Sequence, residues 1–401
     1  MLILALDVGS SSVKAALLRD GRIVGQPVRT TFPTRYSEDR AEVDPEAIVG
    51  AVVRSIRALG PQTRRIDCIA LATMSPSWVA MDKRGRALTP VVTHQDRRSL
   101  DIAIEIERKI GKARHLRMVG ARPVPGGISS TTCGWFVRHR PALIRRADLV
   151  GHLSTYLHRQ FTGARVVDPS HASFMGLYST LKLGGWNPEL CAAVGICMKR
   201  LPEIRDADQI GGRLTADAAR RLGLADGTPM LVGLIDTSAV ALLAGARPGQ
   251  LVNVVGSTDV LALCTDRPRP HERLLTRALG VGRLWLSVGT IAAAGSSLVW
   301  AWQQLFADLD QKRFYRLVQQ LAARADQARG SVEFEPYLAG DRCAVQQRRG
   351  AFTGLTLAST RRQLLAAIID ALARASARRL ELLRATGTRI GREVLVSGGG
   401  G

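Results

Sequence analysis

Aromatic side chains are scarce in this chain, 5% of 401 residues, and acids are outnumbered by bases, 34 to 56. A net charge of +22 would suit a nucleic-acid partner if it were gathered on one element with interleaved aromatics. Instead it is almost all arginine, spread along the whole length. The largest local clusters, such as Arg64-Arg65, Arg97-Arg98 and Arg361-Arg362, are only pairs. The charge reads as solvated surface, and no nucleic-acid partner is expected. Metal spacing is missing as well. Cysteines 68, 133, 191, 197, 264 and 343 form no CxxC and adjoin no histidine pair, which argues against a zinc site or a disulfide framework and fits a reducing cytoplasm. Residues 1–6 are apolar but too short for a signal peptide. The longest apolar stretch, around residues 229–246, is broken by Asp236, so no membrane span is expected. The commonest nucleotide motifs are absent too: no Gly-Lys-Ser/Thr of a Walker loop and no GxGxxG opening a helix.

What is present is enough apolar material, 46% of the chain, to bury two cores. The chain is organised around 229–264, PMLVGLIDTSAVALLAGARPGQLVNVVGSTDVLALC. An apolar strand, 230–235, ends in the lone acid Asp236. A small-residue run, 239–246, reads as a buried helix stopped by Arg247-Pro248-Gly249. Strands 251–255 and 260–264 then flank Gly256-Ser257-Thr258. Asp236 at a helix mouth reads as an N-cap, and the same N–H groups and helix dipole keep it ionised, so cap and general base are compatible roles. The N-terminus repeats the hairpin: LILALDV, then Gly9-Ser10-Ser11-Ser12, a second strand and an Asp20-Gly21 turn. Such turns bring backbone N–H groups and hydroxyls close to phosphate oxygens. Two of them, with Asp7 ending the first strand and Asp236 lying between them, suggest a duplicated fold that clamps a polyphosphate.

The motifs DVGSSSVKA (7–15), GLIDTSA (233–239), NVVGSTDVL (253–261), FEPYLAGDR (334–342) and GAFTGLTLASTRRQLLAAIID (350–370) resemble the FGGY carbohydrate kinases, in general pattern xylulose kinases above all. The resemblance runs from residue 1 to 401. It implies an α/β fold of two ribonuclease-H-like domains, as in actin and hexokinase, with the active-site cleft between them. The domains are expected at 1–230 and 231–401. The family's chain ordinarily continues past EVLVSGGGG, so the second domain reads as truncated at its C-terminus.

The implied activity is transfer of the ATP γ-phosphoryl group to a hydroxyl of a ketose or sugar alcohol, a pentulose such as xylulose, in the cytoplasm. The resemblance makes Asp236 the base and Asp7 the Mg²⁺ ligand. Gly9, Ser10, Ser11, Ser12, Lys14, Gly256, Ser257 and Thr258 would hold the phosphates, and Gly398, Gly399 and Gly400 would receive the adenosine. Ser75, His94, Asp96 and Thr237 would meet the sugar. Here the chain departs from its relatives. Ser75-Pro76 stands where xylulose kinases carry Met-His and glycerol kinases Arg-Glu; His94 replaces a tryptophan, and Thr132 a lysine. Trp135 reads as core packing. A homodimer is left open. Two rival readings remain: a catalytically weak relative that binds sugar and nucleotide, and an ATPase acting on proteins, which the fit over 350–370 opposes.

Overall fold

The computed structural model describes residues 1–398, and in it the chain lays down one strand plan twice. Strand Leu2–Val8 pairs antiparallel with Ser12–Arg19 and parallel with Cys68–Thr73. Strand Leu251–Val255 likewise pairs antiparallel with Asp259–Thr265 and parallel with Val394–Ser397. Period-2 alternation in LILALDV sends Leu2, Leu4, Leu6 and Val8 to the core face. The first sheet continues on one side to Arg22–Thr31. On the other it takes in Pro229–Leu231 and Leu234–Ile235, with Ile210–Arg213 at the edge. The second extends through Trp285–Ile291 to Leu275–Ala278. Sheet membership changes between Ile235 and Leu251.

Helix Pro45–Ala58 covers the first sheet. Asp44 caps it, accepting from Glu46 N–H at 3.0 Å, and Pro45 takes the first helical position, where its missing N–H costs nothing. Helix Arg361–Ala385 covers the second and opens on a capping box between Thr360 and Gln363. No described helix is long and apolar enough to cross a membrane.

Two expectations change. The prolines and arginines of residues 265–283 suggest an exposed loop. The second half of this stretch, Leu275–Ala278, is instead a fully buried edge strand, because the apolar pattern around Arg277 outweighs its single charge. The helix after Asp236 begins at Asp236 itself and ends at Leu243, with Ile235 in the capping position. The carboxylate is thus a first-turn residue, not an N-cap.

A five-stranded accessory sheet, which includes Arg40–Val43, Ser77–Met81 and Val91–Thr93, is grafted onto the first domain. It delivers His94 to the cleft and puts Asp96 behind it. Asp96 is 1% exposed and fully engaged: it accepts from the Ala41 N–H at 2.9 Å and pairs with Arg98 Nη2 at 2.7 Å. It does not line the cleft, so the expectation of a sugar contact is replaced by a structural role. Arg98 in turn lies 5.1 Å from the Trp135 ring, which meets Phe136 edge-on; Trp135 packs here and is not a cleft residue. Without Asp96, Arg98 keeps only Glu42 as its ionic partner and the buried Ala41 N–H loses its acceptor, a cost of about 1–3 kcal/mol. Asp96→Ala is expected to lower unfolding stability by about that much, read as a fall in the denaturant midpoint; an unmoved midpoint would refute the role.

Candidate active site

Both Gly/Ser turns open into a cleft of about 1100 Å³ between the two sheets. Each closes on one short bond, Gly9 N–H to the Ser12 carbonyl at 3.0 Å and Gly256 N–H to the Thr258 carbonyl at 2.8 Å. Among the described residues, the amides of Ser10, Ser11, Ser257 and Thr258 make no intramolecular hydrogen bond. That leaves two free donors per turn, the arrangement that suits phosphate oxygens. The second turn is braced from behind. Its Ser257 carbonyl accepts from the N–H groups of Ala294 and Ser296, at the start of helix Gly295–Leu305. A Cβ on Gly295 would sit 2.4 Å from the Gly256 oxygen, so only glycine lets turn and helix meet. Its other flank is locked by Asp259, whose carboxylate pairs with Arg379 of the long helix and accepts from Ser376 Oγ at 3.1 Å.

Asp7 and Lys14 face each other across the first hairpin and form an ion pair at 2.9 Å. Arg29 lies opposite Lys14 on the next strand and donates from Nε to Ser12 Oγ at 3.2 Å. Sequence reasoning missed Arg29, since only strand register brings it to the turn.

Asp236 stands at the cleft floor, just past the end of strand Leu234–Ile235. Its Oδ1 accepts from the Thr237 N–H at 2.6 Å and from the Thr237 hydroxyl at 3.0 Å. Burial, helped by the like charge of Asp7, raises its carboxyl above the ordinary carboxylate value. Thr237, expected at the sugar, lines the cleft and donates its hydroxyl proton to this carboxylate.

Ser75 and His94 line the cleft as expected. Ser75 Oγ lies 3.3 Å from His152 Nδ1, and His152 Nε2 in turn lies 2.8 Å from Ser129 Oγ. His94 is held well below its ordinary pKa by burial and by Arg342 and Arg97, so it is neutral. Arg277 and Arg342, neither of them foreseen, complete this end. Gly398 lines the opposite end, with φ +106° and room for no side chain: a Cβ would lie 2.2 Å from the Val255 oxygen. Gly399 and Gly400 lie outside the described residues.

Comparison with known proteins agrees with this arrangement. Residues 2–243 match the N-terminal domain, and residues 251–401 the C-terminal domain, of the FGGY family of carbohydrate kinases. The gluconokinase of Bacillus subtilis is 25% identical over 92% of this chain and 74% of its own. The xylulose kinase of Escherichia coli is 24% identical over 99% of this chain and 81% of its own. In structure, the xylulose kinase of Rhodospirillum rubrum superposes with a TM-score of 0.84 at 27% identity, covering 98% of this chain and 80% of that one. With family models spanning nearly its whole length, the chain belongs to the FGGY family of carbohydrate kinases and is a sugar kinase.

Proposed function

We propose that the chain transfers the γ-phosphoryl group of ATP to a hydroxyl of an open-chain, polyhydroxylated acceptor of five or more carbons, with Asp236 as general base. The observation that carries this reading is the state of Asp236. Its two bonds from Thr237 both go to Oδ1, which leaves Oδ2 of this cleft-lining residue without a hydrogen bond among the described residues. A raised pKa makes the carboxylate a better proton acceptor near neutrality. The short side chain of Ser75 leaves space that a pentulose fills better than glycerol does, and the names of the relatives include kinases of both xylulose and gluconate.

Phosphoryl transfer asks mainly for positioning and charge neutralisation. The free amides of the two turns would hold the triphosphate, and Lys14 and Arg29 would balance part of its charge. The charge of Asp7 raises the cost of ionising Asp236, and Mg²⁺ at Asp7 would relieve it. Among the described residues no group of three acidic, histidine or cysteine side chains surrounds such an ion. The remaining oxygens would therefore come from phosphates and water, as is usual for Mg²⁺. When bound, the ion would supply charge neutralisation at the phosphates. The chain's own groups align the hydroxyl and take its proton.

Asp236→Asn is expected to cut kcat about 10²–10⁴-fold while ATP affinity, read by calorimetry, is nearly kept. Near-normal turnover would remove Asp236 from the role of base. The base works ionised, so with its pKa raised the rate should fall on the acid side with a midpoint above the ordinary 3.8. Asp7→Asn removes the like charge. It should move that midpoint to lower pH and raise the Mg²⁺ concentration needed for half-maximal rate; a pH profile that stays in place would separate the two carboxylates.

A further inference from the structure

At one end of the cleft two buried guanidiniums, Arg277 and Arg342, feel the charge of Asp236 yet keep donors that no protein acceptor meets. Arg277 is 1% exposed. It donates Nη1 to Ser238 Oγ and lies 5.5 Å from the centre of the Phe174 ring, while Nε and Nη2 find no acceptor. Arg342, 6% exposed, reaches the Ser75 carbonyl from Nη2 only at 3.5 Å, and its Nε has no acceptor. His94 Nδ1 is also unpartnered. All three line the cleft together with Asp236. Asp236 takes its hydrogen bonds from Thr237 and none from either arginine. Asp168, whose charge also reaches Arg277, is occupied by Ser170 and His171.

Each buried donor left unmet costs about 1–3 kcal/mol, and more when charged. Guanidinium groups kept in this condition at the lip of a substrate cleft are built for an acceptor that arrives from outside. A sugar hydroxyl can accept a hydrogen bond but brings no charge. A carboxylate brings both, in the planar two-oxygen form that a guanidinium matches.

We propose that the acceptor is a polyhydroxy carboxylate, an aldonate of five or six carbons, with its carboxylate held by Arg342 and Arg277. The far end of its chain presents a hydroxyl to Asp236, so the inference rests on the reading of Asp236 given above. In the transfer the hydroxyl oxygen bonds to the γ-phosphorus as the bond to ADP breaks. The hydroxyl proton passes to Asp236, and the carboxylate is unchanged.

The test uses matched acceptors, gluconate against glucitol and xylonate against xylitol, with xylulose beside them. Binding is read by calorimetry and transfer by ADP release. Each acid is expected to bind, and to turn over in kcat/KM, about ten- to a hundredfold better than the polyol of equal length. Arg342→Gln and Arg277→Gln are each expected to shrink that acid-to-polyol ratio about tenfold. Both variants are checked for an unchanged melting temperature and ATP affinity, so that a lost fold is not read as a lost contact. The proposal is overturned if the polyols or xylulose bind as well as the acids, or if the ratio survives in both well-folded variants. Binding that favours the acids without transfer to any acceptor would support the carboxylate site and count against Asp236 as the base.

Discussion

Two carboxylates pointed at one cleft, Asp7 and Asp236, are the constraint around which this molecule is arranged. They leave the sheet on either side of a single strand. Asp7 is in register with Ala72, and Leu234, two residues before Asp236, is in register with Ala72 from the other side. Their backbones are therefore held about two strand spacings apart, roughly 10 Å. That separation is small enough for each charge to be felt by the other and wide enough for a cation or a transferring group to enter. Neither acid is free to collapse. Lys14 pins the first from the adjacent strand, and Thr237 pins the second through its own N–H and hydroxyl.

The duplicated hairpins were legible in the sequence because everything they need is local: alternation to set the strand face, glycine and small hydroxyl residues to set the turn, and an acid or none at the strand end. The capped helix at Asp44-Pro45 was legible for the same reason. What could not be read is what depends on partners distant in sequence. Asp96 lies in a stretch that the family resemblance associates with substrate. Its role is nevertheless set by the Ala41 N–H, 55 residues away, and by an arginine two positions on. Trp135 was correctly read as packing, since an aromatic next to Phe136 at a helix interior has neighbours ready to cover it.

Arg277 shows the opposite error. Among the arginines and prolines that mark an exposed segment it looked like one more solvated charge, yet it lies on a strand whose neighbours Leu275 and Ala278 are buried. Arg342, Arg97 and Arg379 are further buried arginines. The high net charge is therefore only partly surface. Arg97 spends its guanidinium on the carbonyls of His94 and Ala339, which ties the accessory sheet to the loop that carries Arg342. Part of the positive excess thus works inside the molecule, at the seam between its domains.

The two hairpins share a backbone plan but divide the chemistry unequally. Two residues before the turn glycine, the first has Asp7 and the second Val254; five residues after it, the first has Lys14 and the second Leu261. The first turn thus carries the Asp7–Lys14 pair, whereas the second offers backbone amides and the Ser257 and Thr258 hydroxyls, stiffened by Gly295 and by the Asp259–Arg379 pair. A polyphosphate lying between them would meet acidic and basic side chains on one wall and chiefly amides and hydroxyls on the other. Asp7, Lys14 and Arg29 sit on the sheet whose strand Leu234–Ile235 leads into Asp236, so in the proposed mechanism the charged groups and the base share one scaffold.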